Sequence, residues 1–250
     1  MTQNIYDNPE FFQIYSQMRR SVEGLEGAAE WPALRALLPE VRGKRILDLG
    51  CGFGWFARWA REQGASRVLG IDVSEKMLER AREMTTDDGI VYQRADLEAV
   101  ELPAASFDLV FSSLALHYLE NLSRLLASVH TAMVPEGWLV FSTEHPLYTA
   151  PRRQGWVEYE GQESWVLNGY LDEGARATDW LMKGVIKQHR TIATLFRLLR
   201  ESGFTATHLE EWGPAAEQVA AHPEMAKERE RPMLLLIAAR RDSMPSATQP

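Results

Sequence analysis

Apolar runs alternate with amphipathic stretches along most of this chain. Residues 45–49 form an apolar run interrupted by one acid, which predicts a strand. Residues 53–63 read as a helix closed by Gly64. Residues 67–73 predict a second strand, and Ser74 caps a helix running to about residue 84. Residues 90–95 and 107–112 predict two more strands. Over 121–134, Leu122, Leu125, Leu126, Val129 and Met133 recur at helical spacing on one face. Residues 138–142 predict a fifth strand. Strands alternating with helices argue for an α/β fold, a largely parallel sheet covered on both faces.

The flanks differ. Pro9 opens a helix over Phe11, Phe12, Ile14, Tyr15 and Met18, and a second helix starts near Trp31 and Pro32. The alternation stops at Glu144, His145 and Pro146. Residues 147–188 lack helical periodicity and read as an insertion of short strands. The core pattern resumes with Ile192, Leu195, Phe196 and Leu199 on one helical face, ended by Gly203. Strands follow at 205–212 and 233–239. The expected organisation is an N-terminal helical lid (1–42), a core (43–146 and 189–241), a cap (147–188) and a disordered tail (242–250).

Composition narrows the partners. The chain has 250 residues, 45% hydrophobic and 25% charged, the balance of a soluble globular protein. Its net charge is −8 with no dense block of Lys and Arg, so no nucleic-acid partner is expected. The single cysteine, Cys51, leaves no internal disulfide, which fits a cytoplasmic protein. The polar N-terminus has no signal-peptide pattern and no apolar run is long enough for a bilayer, so no membrane association is expected. A monomer or homodimer is expected, with no metal.

The densest chemistry lies at residues 46–54. The strand carrying Ile46, Leu47, Asp48 and Leu49 opens into a loop with Gly50, Gly52 and Gly54 at alternate positions. Such a loop bares backbone for a ligand or for positive φ. Asp72 follows the second strand and Asp96 the third, where ligands bind in open α/β sheets. Any one of these acids alone reads as a helix cap or a solvated turn. Residues 52–57 (Gly52, Gly54 and Ala57) also fit a dinucleotide-binding fingerprint. Asp48 before the loop, the strand register and the acid after the third strand speak against that reading.

The loop resembles the first motif of the class I S-adenosylmethionine (SAM)-dependent methyltransferases. Residues 106–118, including Ser112, His117 and Tyr118, look like the fourth motif of the small-molecule branch, similar to the ubiquinone and menaquinone biosynthesis type. The Asn/Asp-Pro-Pro-aromatic signature of many nucleic-acid enzymes is missing. The resemblance spans about residues 40–145 plus the closing helix and strands. It implies a doubly wound, seven-stranded Rossmann-like sheet of order 3-2-1-4-5-7-6 with strand 7 antiparallel. It also implies SAM as cofactor and S-adenosylhomocysteine (SAH) as product. By the same resemblance, Asp48 orients the loop or binds the ammonium, Asp72 the ribose hydroxyls and Asp96 the adenine amine. The Leu97 N–H donates to the ring, with Val73, Met77 and Leu97 packing on it. Ser112 is placed with the cofactor. Apart from the resemblance, Tyr6, Tyr15 and Arg19 in the N-terminal helices are expected to form a lid over the cofactor, with a peripheral packing helix as the plainer alternative.

Methyl transfer needs alignment and exclusion of water more than it needs a base, because the leaving sulfur becomes neutral. A base serves only a nucleophile that must lose a proton. His117 and His145 are the candidates, with a core hydrogen bond and a loop cap as their plainer alternatives. In the insertion, Tyr148, Trp165, Tyr170 and Trp180 are candidate acceptor walls, with Arg152 for an anionic group and His189 beside them. The alternative is that these aromatics form the insertion's own core. The expected function is methyl transfer to oxygen or nitrogen of a small-molecule acceptor. A non-catalytic SAM-binding sensor or partner protein and a nucleic-acid methyltransferase are the alternatives.

Overall fold

Residues 3–242 are described in a computed structural model of the protein. Three short helices come first: α1 (Pro9–Ser16), α2 (Arg19–Val22) and α3 (Trp31–Ala36). The core then alternates through β1 (Arg45–Leu49), α4 (Trp55–Glu62), β2 (Arg67–Asp72), α5 (Glu75–Glu83), β3 (Ile90–Arg94), β4 (Phe107–Ser113), α6 (Leu122–Ala132) and β5 (Met133–Glu144). After α7 (Pro146–Thr149) come two hairpins, β6 (Trp156–Tyr159) with β7 (Gln162–Trp165), and β8 (Gly174–Trp180) with β9 (Met182–His189). The chain closes with α8 (Ile192–Glu201), β10 (Phe204–Trp212), α9 (Ala216–Ala221) and β11 (Leu234–Arg241).

Seven strands form one sheet in the order β10-β11-β5-β4-β1-β2-β3. The pairs β1–β2, β2–β3, β1–β4 and β4–β5 are parallel, while β11 runs antiparallel to both β5 and β10. With β10 and β11 as the sixth and seventh strands, this is the expected order. Winding reverses between β1 and β4, the place where such sheets open a ligand crevice. The central strands are buried on both faces. In β1, Ile46 packs toward α3 and α4 with Phe56 and Phe111, while Leu47 and Leu49 join the side of α6 and α8. That two-sided burial explains the near-continuous apolar runs.

Two boundaries moved. The helix expected over 121–134 ends at Ala132, and β5 starts at Met133 rather than 138. Val134 precedes Pro135, which disfavours helical backbone there, and Met133 pairs with Phe107 before the register shifts. The single N-terminal helix through Met18 is broken at Gln17, and Met18 is extended at ψ 147 before α2 begins. In the insertion, Glu160 and Gly161 both hold positive φ, as a two-residue hairpin turn requires. Of the expected tail, Asp242 still accepts from the Thr205 hydroxyl at 2.6 Å, and residues 243–250 lie outside the described residues. No helix among the described residues is long and apolar enough to cross a membrane.

Candidate active site

The glycine loop leaves β1 and is pinned to β2: Gly50 and Cys51 N–H both donate to the Ile71 carbonyl, at 2.8 and 3.0 Å. Gly50, Gly52 and Gly54 all have positive φ. Their surroundings differ. A Cβ on Gly50 would sit 2.3 Å from Ala115 Cβ, and one on Gly54 would sit 2.0 Å from the Tyr92 hydroxyl. A Cβ on Gly52 would meet nothing within 4 Å. Gly50 and Gly52 line the cavity described below, whereas Gly54, expected there too, packs against β3 and starts α4.

Asp72 ends β2 and fastens the loop. Its Oδ2 accepts from Gly52 N–H and its Oδ1 from Ser74 N–H, both at 2.9 Å. An ionised carboxylate has about four lone-pair sites, so capacity for a ligand remains. Burial raises the Asp72 pKa, and these backbone donors oppose the rise. Asp48 is 2% exposed. Its Oδ2 has no hydrogen-bond partner, and burial, reinforced by the Asp72 charge, pushes its pKa up to about 8. Cys51 is buried, and burial raises its thiol well above the ordinary range, so it fills the turn and is no nucleophile.

A cavity of about 940 Å³, mouth included, opens beyond the carboxyl ends of β1, β2, β4 and β5. On one side it is bounded by Gly50, Gly52, Asp72, Val73, Met77, Asp96 and Leu97. The other side brings Tyr6, Tyr15, Trp180, His117, Tyr118 and Glu144. Asp48 lies not on this cavity but on an adjoining one, and the two share Tyr15, Arg20, Gly50, Gly52 and Ser113. The N-terminal segment is held over the cavity by Asp7, which accepts from Ser74 Oγ at 2.6 Å and Lys76 N–H at 3.2 Å at the start of α5. Gln3 ties that segment to β9, donating to Gly184 O (3.1 Å) and accepting from Ile186 N–H (2.9 Å). Tyr6, Phe11, Tyr15 and Trp180 pack largely edge to face above.

On the far wall, Glu144 and Lys187 form a buried ion pair. Tyr118 and Tyr6 share a hydrogen bond between their hydroxyls at 3.1 Å. His117 Nδ1 accepts from Glu144 N–H at 3.4 Å. Burial, with the Lys187 and Arg190 charges, lowers its pKa well below the histidine range. With Nδ1 accepting, the neutral ring carries its proton on Nε2 and presents a donor rather than a base. Leu114, also on the wall, holds φ +54, rare for a branched bulky residue, with its N–H on Ser142 O at 3.1 Å.

Several expected site residues lie elsewhere. Arg19 pairs with Glu23 at 2.8 Å and contacts His222, and Arg20 lines the cavity instead, because the break at Gln17 advances the helical face by one residue. Ser112 is fully buried, donating to Leu49 O at 2.8 Å, and the next residue, Ser113, reaches the cavity. His145 uses both nitrogens structurally: Nδ1 accepts from Leu147 N–H (3.0 Å) and Nε2 faces Glu211 (2.9 Å). It is the loop cap of its plainer reading. His189 is spanned between the Thr149 hydroxyl and the Tyr170 carbonyl, both at 2.8 Å. Tyr148 and Trp165 stack on each other with Arg231 over both rings, and Trp165 donates to Leu147 O. Tyr170 packs edge-on against His189, and Arg152 is exposed, 3.8 Å from Asp172. Of the expected acceptor residues, Trp180 alone reaches the cavity; Tyr148, Trp165, Tyr170 and His189 pack within the insertion, and Arg152 stays on the surface. Gln3, Arg20 and Lys187 carried no local sequence signal, whereas Ser113 and Leu114 lie inside the 106–118 motif without being singled out by it.

A seven-stranded sheet so wound, with the loop and acids at its switch point, is a Rossmann-like methyltransferase fold. A family model described as a methyltransferase domain matches residues 47–141. The crystal structure of a SAM-dependent methyltransferase from Mesorhizobium loti is 60% identical, covering 87% of this chain and 100% of that one, with a TM-score of 0.84. An uncharacterized protein of Haemophilus influenzae is 36% identical over 247 residues, 95% of this chain and 97% of its own. A malonyl-[acyl-carrier protein] O-methyltransferase of Enterobacter lignolyticus is 35% identical over 148 residues, 59% of this chain and 54% of that enzyme. The chain belongs to the class I SAM-dependent methyltransferases, and its cofactor is SAM.

Proposed function

We propose that SAM occupies the cavity and that the enzyme methylates oxygen or nitrogen of a small acceptor with a planar or aromatic body. The carrying observation is convergence: Gly50, Gly52, Asp72, Asp96 and Leu97 face the same space as Tyr15, His117, Tyr118, Glu144 and Trp180. The residues fit the cofactor. The unpartnered, buried Asp48 Oδ2 beside the bare loop suits an ammonium, which would draw its pKa down from about 8. Asp72 keeps lone pairs for the ribose hydroxyls. Asp96 and the Leu97 N–H suit the adenine edge, between Val73 and Met77. When bound, SAM supplies a methyl group made electrophilic by the sulfonium.

The chain's own contribution is alignment and dryness. Residues 3–42 serve as a lid and 147–188 as a cap, joined through Gln3 and the aromatic cluster of Tyr6, Tyr15 and Trp180. His117 offers a neutral donor that orients the acceptor. The charged groups on the cavity wall are Asp72, Asp96, Glu144 and Arg20, and Arg20 is already paired with Glu30 at 2.9 Å. An acidic wall of this kind supports a small, non-phosphorylated acceptor over nucleic acid. The malonyl-[acyl-carrier protein] enzyme shares about half its length with this chain, so its acceptor is not carried over. Calorimetric titration with SAM tests the first half; folded protein giving no heat overturns it. Incubation with SAM and a metabolite extract tests the second. A product one methylene heavier than a small metabolite is expected, and methyl found only in the nucleic-acid fraction refutes it.

A further inference from the structure

We infer that Glu144 recognises the acceptor, and that the acceptor is an amine or hydroxyl compound with an apolar body and no free carboxylate at its reacting end. The inference rests on SAM occupying the cavity and names the chemistry across from it. Glu144 stands at the carboxyl end of β5, its side chain 9% exposed. One carboxylate oxygen, Oε1, takes the Lys187 ammonium, while Oε2 is buried and has no hydrogen-bond partner among the described residues. A buried lone pair left unmatched beside a cavity marks a place for a donor.

The neighbouring cations are committed. Lys187 is fully buried, bound to Glu144 and set over the Trp180 ring at 4.7 Å. Arg190 donates to the Leu119 and Glu120 carbonyls, and Arg20 to Glu30. Arg231, which also bears on the Glu144 carboxyl, lies off the cavity lining, paired with Glu228 at 2.7 Å and set over the Tyr148 and Trp165 rings, so no cation on the wall itself is left to balance an anionic acceptor. His117 contributes a neutral N–H, and the Tyr6–Tyr118 pair contributes one hydroxyl proton beyond the bond they share. Leu114, Leu119 and Trp180 supply apolar surface for the rest of the molecule. A wall with one free carboxylate oxygen, neutral donors and apolar sides selects an N–H or O–H group on an apolar frame.

The test uses full-length protein saturated with SAH and three probes sharing one ring: benzylamine, benzyl alcohol and benzoate. Calorimetry on the wild type should rank benzylamine first and benzyl alcohol second, with benzoate weaker than the amine by about tenfold or more. Glu144→Gln keeps a carbonyl for Lys187 but loses the charge. It should erase the amine's advantage while the SAH affinity stays within about twofold. Benzoate binding as well as benzylamine, or the same ranking surviving in Glu144→Gln, overturns the inference. The wild-type ranking decides the matter even where the variant folds poorly. Failure of SAH itself to bind would instead refute the cofactor reading.

Discussion

Asp48 and Glu144 are two buried carboxylates on one sheet, each with an oxygen that has no hydrogen-bond partner. They differ in what stands beside them. Glu144 has Lys187, so burial raises its pKa and the lysine opposes the rise. Asp48 has no cation, only the like charge of Asp72, and sits at about 8. The charge of Glu144 is therefore balanced inside the protein, and that of Asp48 is not. One half of the crevice holds an internal ion pair, while on the proposed reading the other waits for the charge of the cofactor's ammonium.

The largest expected effect breaks the internal pair. Lys187→Met leaves Glu144 buried without its cation and should cost about 3–5 kcal/mol of stability. Urea unfolding should show a lower midpoint at unchanged slope. The double variant Lys187→Met with Glu144→Leu should recover most of that loss, because a buried pair replaced whole by apolar groups is close to neutral. A single variant costing under about 1 kcal/mol would mean that water already reaches the pair.

The counterpart on the loop side should move the other way. Asp48 has a folded pKa raised to about 8 against roughly 3.9 unfolded. Its protonated form is favoured by folding, so its contribution is full below about pH 4 and is lost as pH rises through 8. Asp48→Asn removes that loss. Ligand-free protein should gain about 2–4 kcal/mol at pH 7 and nothing near pH 4, read from denaturation at both pH values. SAM affinity should fall in the same variant. A gain independent of pH would remove ionisation as the cause.

Asp72→Ala comes next. It deletes the carboxylate that holds Gly52 N–H and Ser74 N–H. SAM binding should weaken by about 1.5–3 kcal/mol, the range for hydrogen bonds to a charged group, as measured by calorimetry. An unchanged affinity would reduce Asp72 to a fastener of the loop.

How far the sequence foretold this layout follows from where each constraint resides. Gly50, Gly52, Asp72, Asp96 and Leu97 were legible because close approach to backbone demands particular residue types at strand ends. The sheet order came with the family resemblance, and the alternation of β1 to β5 was plain in the apolar runs. Ser112 and Arg19 missed by a single position: the motif that placed Ser112 gives a strand end and not which of two neighbouring serines faces the crevice, and for Arg19 the break at Gln17 shifts the phase of the helical face. The insertion was opaque for another reason. Tyr148 and Trp165 belong around Arg231, 83 and 66 residues downstream, and Glu144 meets Lys187 across 43 residues. Nothing local in the chain encodes such pairs. His145 illustrates the same limit: its partner Glu211 sits on β10, 66 residues away.

The smallest expected effect sharpens the contrast within a single helix. Arg19 and Arg20 are adjacent and alike, yet Arg19 is half exposed beside Glu23 while Arg20 lines the cavity and holds the buried Glu30. Arg19→Ala removes a surface i,i+4 pair and should change stability by less than about 0.5 kcal/mol. It should leave SAM affinity unaltered. Arg20→Ala should lower both, because Glu30 is stranded and the wall loses that guanidinium. Parallel calorimetry on the two variants reads the phase of α2 directly. If Arg19→Ala weakened SAM and Arg20→Ala did not, the N-terminal helix would run unbroken past Gln17 and would turn its other face to the crevice.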